Sequence, residues 1–341
     1  MHVMKNPEAV YRQLLEPSDR LVADMAAIEG DIMILGVGGK MGPGLARVAR
    51  QAAGKAGLKK RIIGVARFSG PGLQRQLEEE GIETISADLL NDNQLRALPA
   101  IENVLYLAGT KVGTNGNEPF TWAMNAYHAT RVAQQFRDSR IVAFSTGNVY
   151  PLVPVTGGGA TESLPPNPVG EYGQSCLGRE RVFQYFSSRN NTPMLIYRLN
   201  YANDVTYGVL VDIAQAVKES KPVDLAMGVA NLIWQGDANE IALRALLHCD
   251  VPAKILNVTG PEIVSLRWLG EQFGKMFGKT PVFVNEEQPT AFLSNAAESF
   301  RLFGYPRVGL QQMMELVAEW LKQSGRLLNK PTHYAERKIG R

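Results

Sequence analysis

Cysteine is scarce in this sequence: Cys176 and Cys249 are the only two among 341 residues. They lie in unrelated segments, which excludes a disulfide framework and points to a reduced, cytoplasmic protein. Charge imbalance is missing too, with 36 Lys and Arg against 33 Asp and Glu and a formal net charge of +3. No basic run and no basic-aromatic interleaving occurs, so nucleic acid is not an expected partner. Long apolar runs are also absent. No stretch reaches the ~18 residues of a membrane span, and Glu8, Glu16, Asp19 and Asp24 interrupt the first thirty residues where a signal-peptide core would lie. Internal repeats and low-complexity tracts are lacking, and no metal site is expected. The composition is otherwise 45% hydrophobic and 20% charged, enough to bury one large α/β domain and a smaller lobe.

The order of patterns divides the chain. Residues 1–30 read as a helical extension, with apolar spacing at Val10, Leu14, Leu15, Leu21, Val22, Met25 and Ala26, interrupted at Pro17. From residue 31 a strand (DIMILG), a glycine-rich turn (VGGKMG), a helix and a second strand (RIIGVARF) form a βαβ unit. Apolar runs at 83–87, 104–108, 141–144 and 194–197 alternate with helix-length segments. The expected architecture is a Rossmann-type doubly wound parallel sheet over 31–200, with ligands at the carboxyl ends of its strands. A smaller C-terminal substrate lobe is expected over 201–328, with an apolar run at 255–258, a helix near 310–321 and late segments returning to the main domain. The polar, basic stretch 329–341 reads as a solvated end rather than a binding arm.

Gly36, Gly39 and Gly42 stand as G-x-x-G-x-x-G where the first strand meets its helix. The missing side chains let the backbone turn tightly and approach a pyrophosphate, which the exposed N–H groups of the helix start would hold. Gly38, Lys40 and Met41 belong to the same turn. At the end of the second strand, where an NAD binder places an acid for the ribose hydroxyls, Ala66 is followed by Arg67. A guanidinium there suits a 2′-phosphate, so NADP is preferred to NAD, unless Arg67 is only a solvent-facing charge.

Taken with the motifs further along the chain, these glycines resemble the extended short-chain dehydrogenase/reductase family, the group of NAD-dependent epimerases and dehydratases, over roughly residues 31–323. Asp88-Leu89 is similar to the family's adenine-contacting pair. LAGTK, with Ala108, Gly109 and Lys111, resembles the fourth-strand motif beneath the cofactor. Asn125 matches a helix asparagine, and FSTGNVY matches the fifth-strand motif, placing the catalytic Ser/Thr at Thr146. TESLPPNPVGEYGQS matches the approach to a catalytic tyrosine, which falls on Tyr172. RLN, 198–200, resembles the sixth-strand motif, and 302–321 resembles the closing helix.

The resemblance implies a lysine four residues after the tyrosine, on the same helix face. Cys176 occupies that position. A phenol with a pKa of about 10 is a poor base at neutral pH, and a cation about 4 Å away supplies on the order of 4 kcal/mol at an effective dielectric of 20. Three readings compete. Another cation substitutes, with Lys111 as the candidate; the protein binds dinucleotide without turnover, as a sensor or partner-binding subunit; or Cys176 is itself a reagent rather than a packed thiol.

For the substrate, the family's dehydratases place an acidic pair after the threonine, whereas Gly147 and Asn148 stand here, which disfavours dehydration. Nucleotide-sugar members carry an arginine that would fall near Ala230, and no arginine occurs between Arg198 and Arg244. The reading is redox or epimerase chemistry on a sugar, sugar acid or related polyhydroxylated compound, with Tyr172 as acid/base, Thr146 as hydrogen-bond partner and Asn148 and Asn200 at the substrate. Family members also dimerise through the tyrosine helix and its predecessor. A homodimer is therefore expected, with the apolar face drawn from Val132, Phe136, Val182, Phe183 and Phe186, some of which must serve the monomer core.

Overall fold

A computed structural model describes residues 6–111, 116–330 and 332–337. Seven strands form one sheet: β1 (Ile32–Leu35), β2 (Ile62–Ala66), β3 (Glu83–Ser86), β4 (Asn103–Tyr106), β5 (Arg140–Thr146), β6 (Met194–Leu199) and β7 (Lys254–Val258). All pairings are parallel, in the order β7-β6-β5-β4-β1-β2-β3. β1 and β4 are buried along their whole length. That is why they read as continuous apolar runs rather than alternating ones, since helices cover both faces of such a sheet. Strand order reverses between β1 and β4, so a crevice opens at their carboxyl ends.

α1 (Pro7–Leu14) and α2 (Asp19–Ala27) precede the sheet, and Pro17 falls between them. α3 (Gly42–Lys55) buries Leu45, Ala46, Ala49, Ala52 and Ala53 at three- and four-residue spacing; small side chains let it lie close to the sheet. α4 (Leu73–Glu79) and α5 (Asp92–Arg96) are short crossovers. α6 (Glu118–Trp122), a π-turn over Ala123–Tyr127 and α7 (His128–Gln135) make one interrupted helix, and α8 (Gly170–Asn190) packs along it. α9 (Val209–Lys218), α10 (Gln235–Arg244), α11 (Leu266–Phe277), α12 (Ala297–Phe303) and α13 (Leu310–Lys322) complete the chain. Among the described residues no helix is long and apolar enough to cross a membrane.

The N-terminal extension is bound to the body of the protein. The Tyr11 hydroxyl donates to Asp204 at 3.0 Å, and its ring meets Trp234 edge-on with centroids 6.0 Å apart. The Ser18 hydroxyl caps α2 and donates to Glu240 at 2.6 Å, which also pairs with Arg307 at 2.5 Å.

Two expectations are corrected here. Val132, Phe136, Phe183 and Phe186 are 0%, 2%, 0% and 6% exposed and belong to the core beneath the sheet, with Val182 packed against it. Their helical spacing marks the inward face, and the aromatic side chains exposed on these helices are instead Phe120, Trp122, Tyr127 and Tyr185. Residues 332–337 of the tail are no solvated end either. After α13 the chain folds back: the Leu328 amide donates to the Thr206 carbonyl at 3.0 Å, Thr332 is buried, and Arg337 donates to the Thr290 carbonyl at 2.6 Å. A handful of specific hydrogen bonds outweighs the polar composition.

Candidate active site

At the end of β1 the backbone reaches φ +90° at Gly36, where a Cβ would stand 2.8 Å from the Ala108 amide nitrogen. A Cβ at Gly42 would collide with the Val37 carbonyl. These two glycines are demanded by the turn itself. At Gly39 a Cβ would meet only the Gly36 carbonyl oxygen, at 3.3 Å, so its bareness chiefly serves the space in front of the turn.

That space consists of two joined cavities. The smaller, about 350 Å³, is lined by Gly36, Gly38, Gly39, Arg67, Asp88, Leu89, Ala108, Gly109 and His128, among others. The larger, about 600 Å³, is lined by Gly36, Gly39, Lys40, Met41, Gly42, Gly109, Lys111, Thr146, Asn148, Tyr172 and Asn200, joined by Tyr201, Tyr207, Gln235, Asn329, Lys330 and Thr332. Gly36, Gly39, Leu107 and Gly109 border both. Every residue predicted as a site residue thus faces one cavity or the other, except Cys176, which is fully buried behind Tyr172.

Tyr172 lies in the first turn of α8 and faces the same cavity as Thr146 at the end of β5. The Thr146 hydroxyl donates to Asn148 Oδ1 at 2.9 Å. Burial pushes the Tyr172 phenol well above its ordinary value, while the Arg179 guanidinium opposes the rise. Burial likewise raises the Cys176 thiol. A thiol so protonated is a packed neighbour and not a nucleophile.

Arg179 was not apparent as a site residue in the sequence. It stands seven residues after Tyr172, two turns along the same helix face. Its Nε donates to the Asn125 carbonyl at 3.1 Å, Nη1 to the Phe144 carbonyl at 2.8 Å and Nη2 to Asn125 Oδ1 at 2.7 Å. Asn125 is fully buried in the π-turn, whose extra residue redirects a helix side chain inward. Its amide also bonds the Thr110 carbonyl and Ser175, at 3.0 and 2.9 Å, tying the π-turn to the segment after β4 and to α8. A Cβ on Gly109 would strike Arg179, which accounts for the glycine in LAGTK. Lys111, the cation nominated from the sequence, lies over the Tyr172 ring with Nζ 5.9 Å from its centroid, and donates to the Thr332 carbonyl at 3.4 Å. The cation that counters the rise of the Tyr172 phenol is Arg179.

Two buried polar atoms on the larger cavity, Asn148 Nδ2 and the Tyr201 hydroxyl, have no hydrogen-bond partner among the described residues. Tyr201 also holds φ +42°, unusual for a side chain of its size. Behind the site, Arg198 and Glu180 form a buried ion pair at 2.6 Å, completed by Ser145 and Tyr150, whose hydroxyl donates to Asn257.

The fold is similar to that of a Bacillus cereus UDP-glucuronic acid 4-epimerase solved with NAD and UDP-4-deoxy-4-fluoro-glucuronic acid, at 18% identity over 86% of this chain and 99% of that one, TM-score 0.71. A Thermus thermophilus UDP-glucose 4-epimerase in complex with NAD matches at 19% identity over 86% and 99%, TM-score 0.69. An epimerase from Methanothermobacter thermautotrophicus matches at 15% over 91% and 97%, TM-score 0.72. At such identities the likeness is one of fold. No curated protein matches the chain in sequence. The model of the NAD dependent epimerase/dehydratase family matches residues 32–220, more than half of the chain and the whole stretch carrying the Gly36 turn, Thr146 and Tyr172, and the chain belongs to that family.

Proposed function

We propose that this protein is an NAD(P)-dependent oxidoreductase or epimerase acting on a sugar, a sugar acid or a related polyhydroxylated compound. The observation that carries the reading is the convergence, on one cavity, of Tyr172, Thr146 and two residues with unpartnered buried polar atoms, Asn148 at its Nδ2 and Tyr201 at its hydroxyl. Orphaned buried groups of this kind are costly unless a ligand completes them, and a polyhydroxylated molecule offers matching donors and acceptors.

The residues present fit a dinucleotide: the turn at Gly36–Gly42 would cradle the diphosphate, Asp88 and Leu89 would meet the adenine end, and Arg67 would take a 2′-phosphate, which favours NADP. A bound nicotinamide supplies hydride acceptance and return. The chain supplies the proton handling. Tyr172 exchanges the substrate hydroxyl proton at its phenol oxygen, Thr146 hydrogen-bonds the same substrate oxygen, and Arg179 favours the phenolate that burial opposes. Asn148 and Asn200 orient the remaining hydroxyls. Neither an acid pair beside Thr146 nor an arginine at Ala230 is present, so dehydration and a nucleotide handle are not part of the proposal.

The test is calorimetric binding of NAD and NADP, followed by incubation with neutral sugars and sugar acids while the absorbance of the reduced nicotinamide is read. Dinucleotide binding lost in Gly39→Asp, with turnover lost in Tyr172→Phe, is the expected outcome. Binding without any turnover would instead favour a sensor or partner-binding protein, the reading raised by Cys176. We further propose a homodimer formed through the α6–α8 face that exposes Phe120, Trp122, Tyr127 and Tyr185; a monomeric mass in light scattering at micromolar concentration would exclude it.

A further inference from the structure

The larger cavity draws its positive charge from three lysines on three separate parts of the chain: Lys40 on the glycine turn, Lys111 after β4, and Lys330 on the folded-back tail. Among the described residues no arginine lines it. The tail lies there because it is anchored on either side of Lys330. Leu328 is bonded to Thr206, and the amide and hydroxyl of Thr332 both donate to Asp212 of α9, at 2.9 and 2.6 Å. Lys111 reaches the same tail at the Thr332 carbonyl. Asp212 is one carboxylate facing this cluster, and its Oδ2 already accepts both Thr332 bonds. Glu336 approaches Lys111. The lysines therefore repel one another: Lys111 and Lys330 both act against the charge on Lys40.

We propose that the tail completes an anion subsite, in which Lys330, with Lys111, holds a carboxylate or phosphate group of the substrate. This rests on the oxidoreductase reading above and narrows its substrate class to anionic sugars or sugar-like acids. Tail residues line the cavity of Tyr172, Thr146 and Asn148 and none lines the cavity of Arg67 and Asp88, which separates Lys330 from the adenosine half of a cofactor; the glycine turn borders the same cavity as Lys330, so NAD affinity is the readout that distinguishes a diphosphate contact from a substrate contact. Lysine suits the task, since a mobile ammonium on the rim can follow a compact anion. Lys330 is exposed, so its removal does not unmake a packed core.

The experiment titrates the full-length protein, saturated with NAD, with inorganic phosphate, glucuronate, glucose 6-phosphate and glucose, and measures NAD affinity separately. At least one of the three anions is expected to bind more tightly than glucose. Lys330→Gln should reduce that preference by about fivefold, the effect of one solvent-screened charge contact, Lys330→Arg should keep it, and NAD affinity should stay within about twofold in both variants. Loss of NAD affinity in Lys330→Gln without loss of anion preference would overturn the proposal in favour of a cofactor contact. Equal affinity for glucose and the anions, or no anion binding at all, would overturn it outright. If the unmutated protein binds neither NAD nor NADP, the oxidoreductase reading falls, and the same anion titration without dinucleotide still decides the role of Lys330.

Discussion

Proton uptake on dinucleotide binding gives the sharpest reading of the charge in this site. Lys40 sits in the glycine turn with Nζ 3.7 Å from the centroid of the Tyr207 ring. Burial, with repulsion from Lys111 and Lys330, lowers its pKa from the ordinary 10.5 to about 8, against the pull of Asp212. A diphosphate held at the turn would restore the charge and return the pKa toward its ordinary range. Binding should then take up about 0.1 proton at pH ~7, about 0.5 at pH ~8 and about 0.9 at pH ~9, and affinity should fall about tenfold between the first and last of these. The ligand-free protein responds in the opposite sense. With its folded pKa depressed, this lysine weakens the fold below pH ~8, and the penalty is relieved as pH rises toward ~10.4. Calorimetry of NAD binding in buffers of different ionisation enthalpy measures the uptake directly, and Lys40→Met should abolish it. Buffer-independent heats at pH ~8, or an unchanged uptake in Lys40→Met, would refute the assignment of the proton to Lys40.

Three further outcomes are expected. Arg67→Ala should lower the NADP-to-NAD affinity ratio about tenfold, as loss of a charge-assisted phosphate contact implies; an unchanged ratio makes Arg67 a surface charge. Glu180→Gln should cost about 3–5 kcal/mol of unfolding free energy in denaturant titration, because Arg198 is left buried and uncompensated, whereas a loss below about 1 kcal/mol would show that the network is not under electrostatic load. Cys176→Lys should destabilise the fold by about 2–4 kcal/mol and should move the pH optimum of hydride transfer downward by lowering the Tyr172 phenol; unaltered stability would mean that position 176 is open to water.

The parts of the site legible in the sequence are those fixed by local geometry. Gly36 and Gly42 could be read because the backbone itself forbids a side chain there, and β1 and β4 because strands covered on both faces must be apolar throughout. Arg179 could not, since its place depends on Asn125 arriving from another helix through a π-turn that leaves no periodic signature. The apolar spacing of Val132, Phe136, Phe183 and Phe186 identified the buried face correctly, but period alone does not distinguish a monomer core from an interface. The tail was misread for a related reason. Composition reports the average tendency of a segment, while Thr332 and Arg337 are held by individual partners, Asp212 and Thr290, more than a hundred and nearly fifty residues away.

Cysteine at the position of the family lysine is consistent with Arg179 once both are placed. Position 176 is one turn before Arg179 and fully buried, so a lysine there would hold a second cation near a guanidinium whose donors are committed to Asn125 and Phe144. Two like charges about 4 Å apart repel by about 4 kcal/mol even at an effective dielectric of 20. A neutral thiol avoids that cost and keeps contact with the phenol. The cation that opposes the rise of the Tyr172 phenol thus lies further along the helix, in a guanidinium held by backbone carbonyls. With its donors committed to Asn125 and Phe144, this guanidinium cannot also grip a ribose, so that part of the family lysine's role would have to come from another residue.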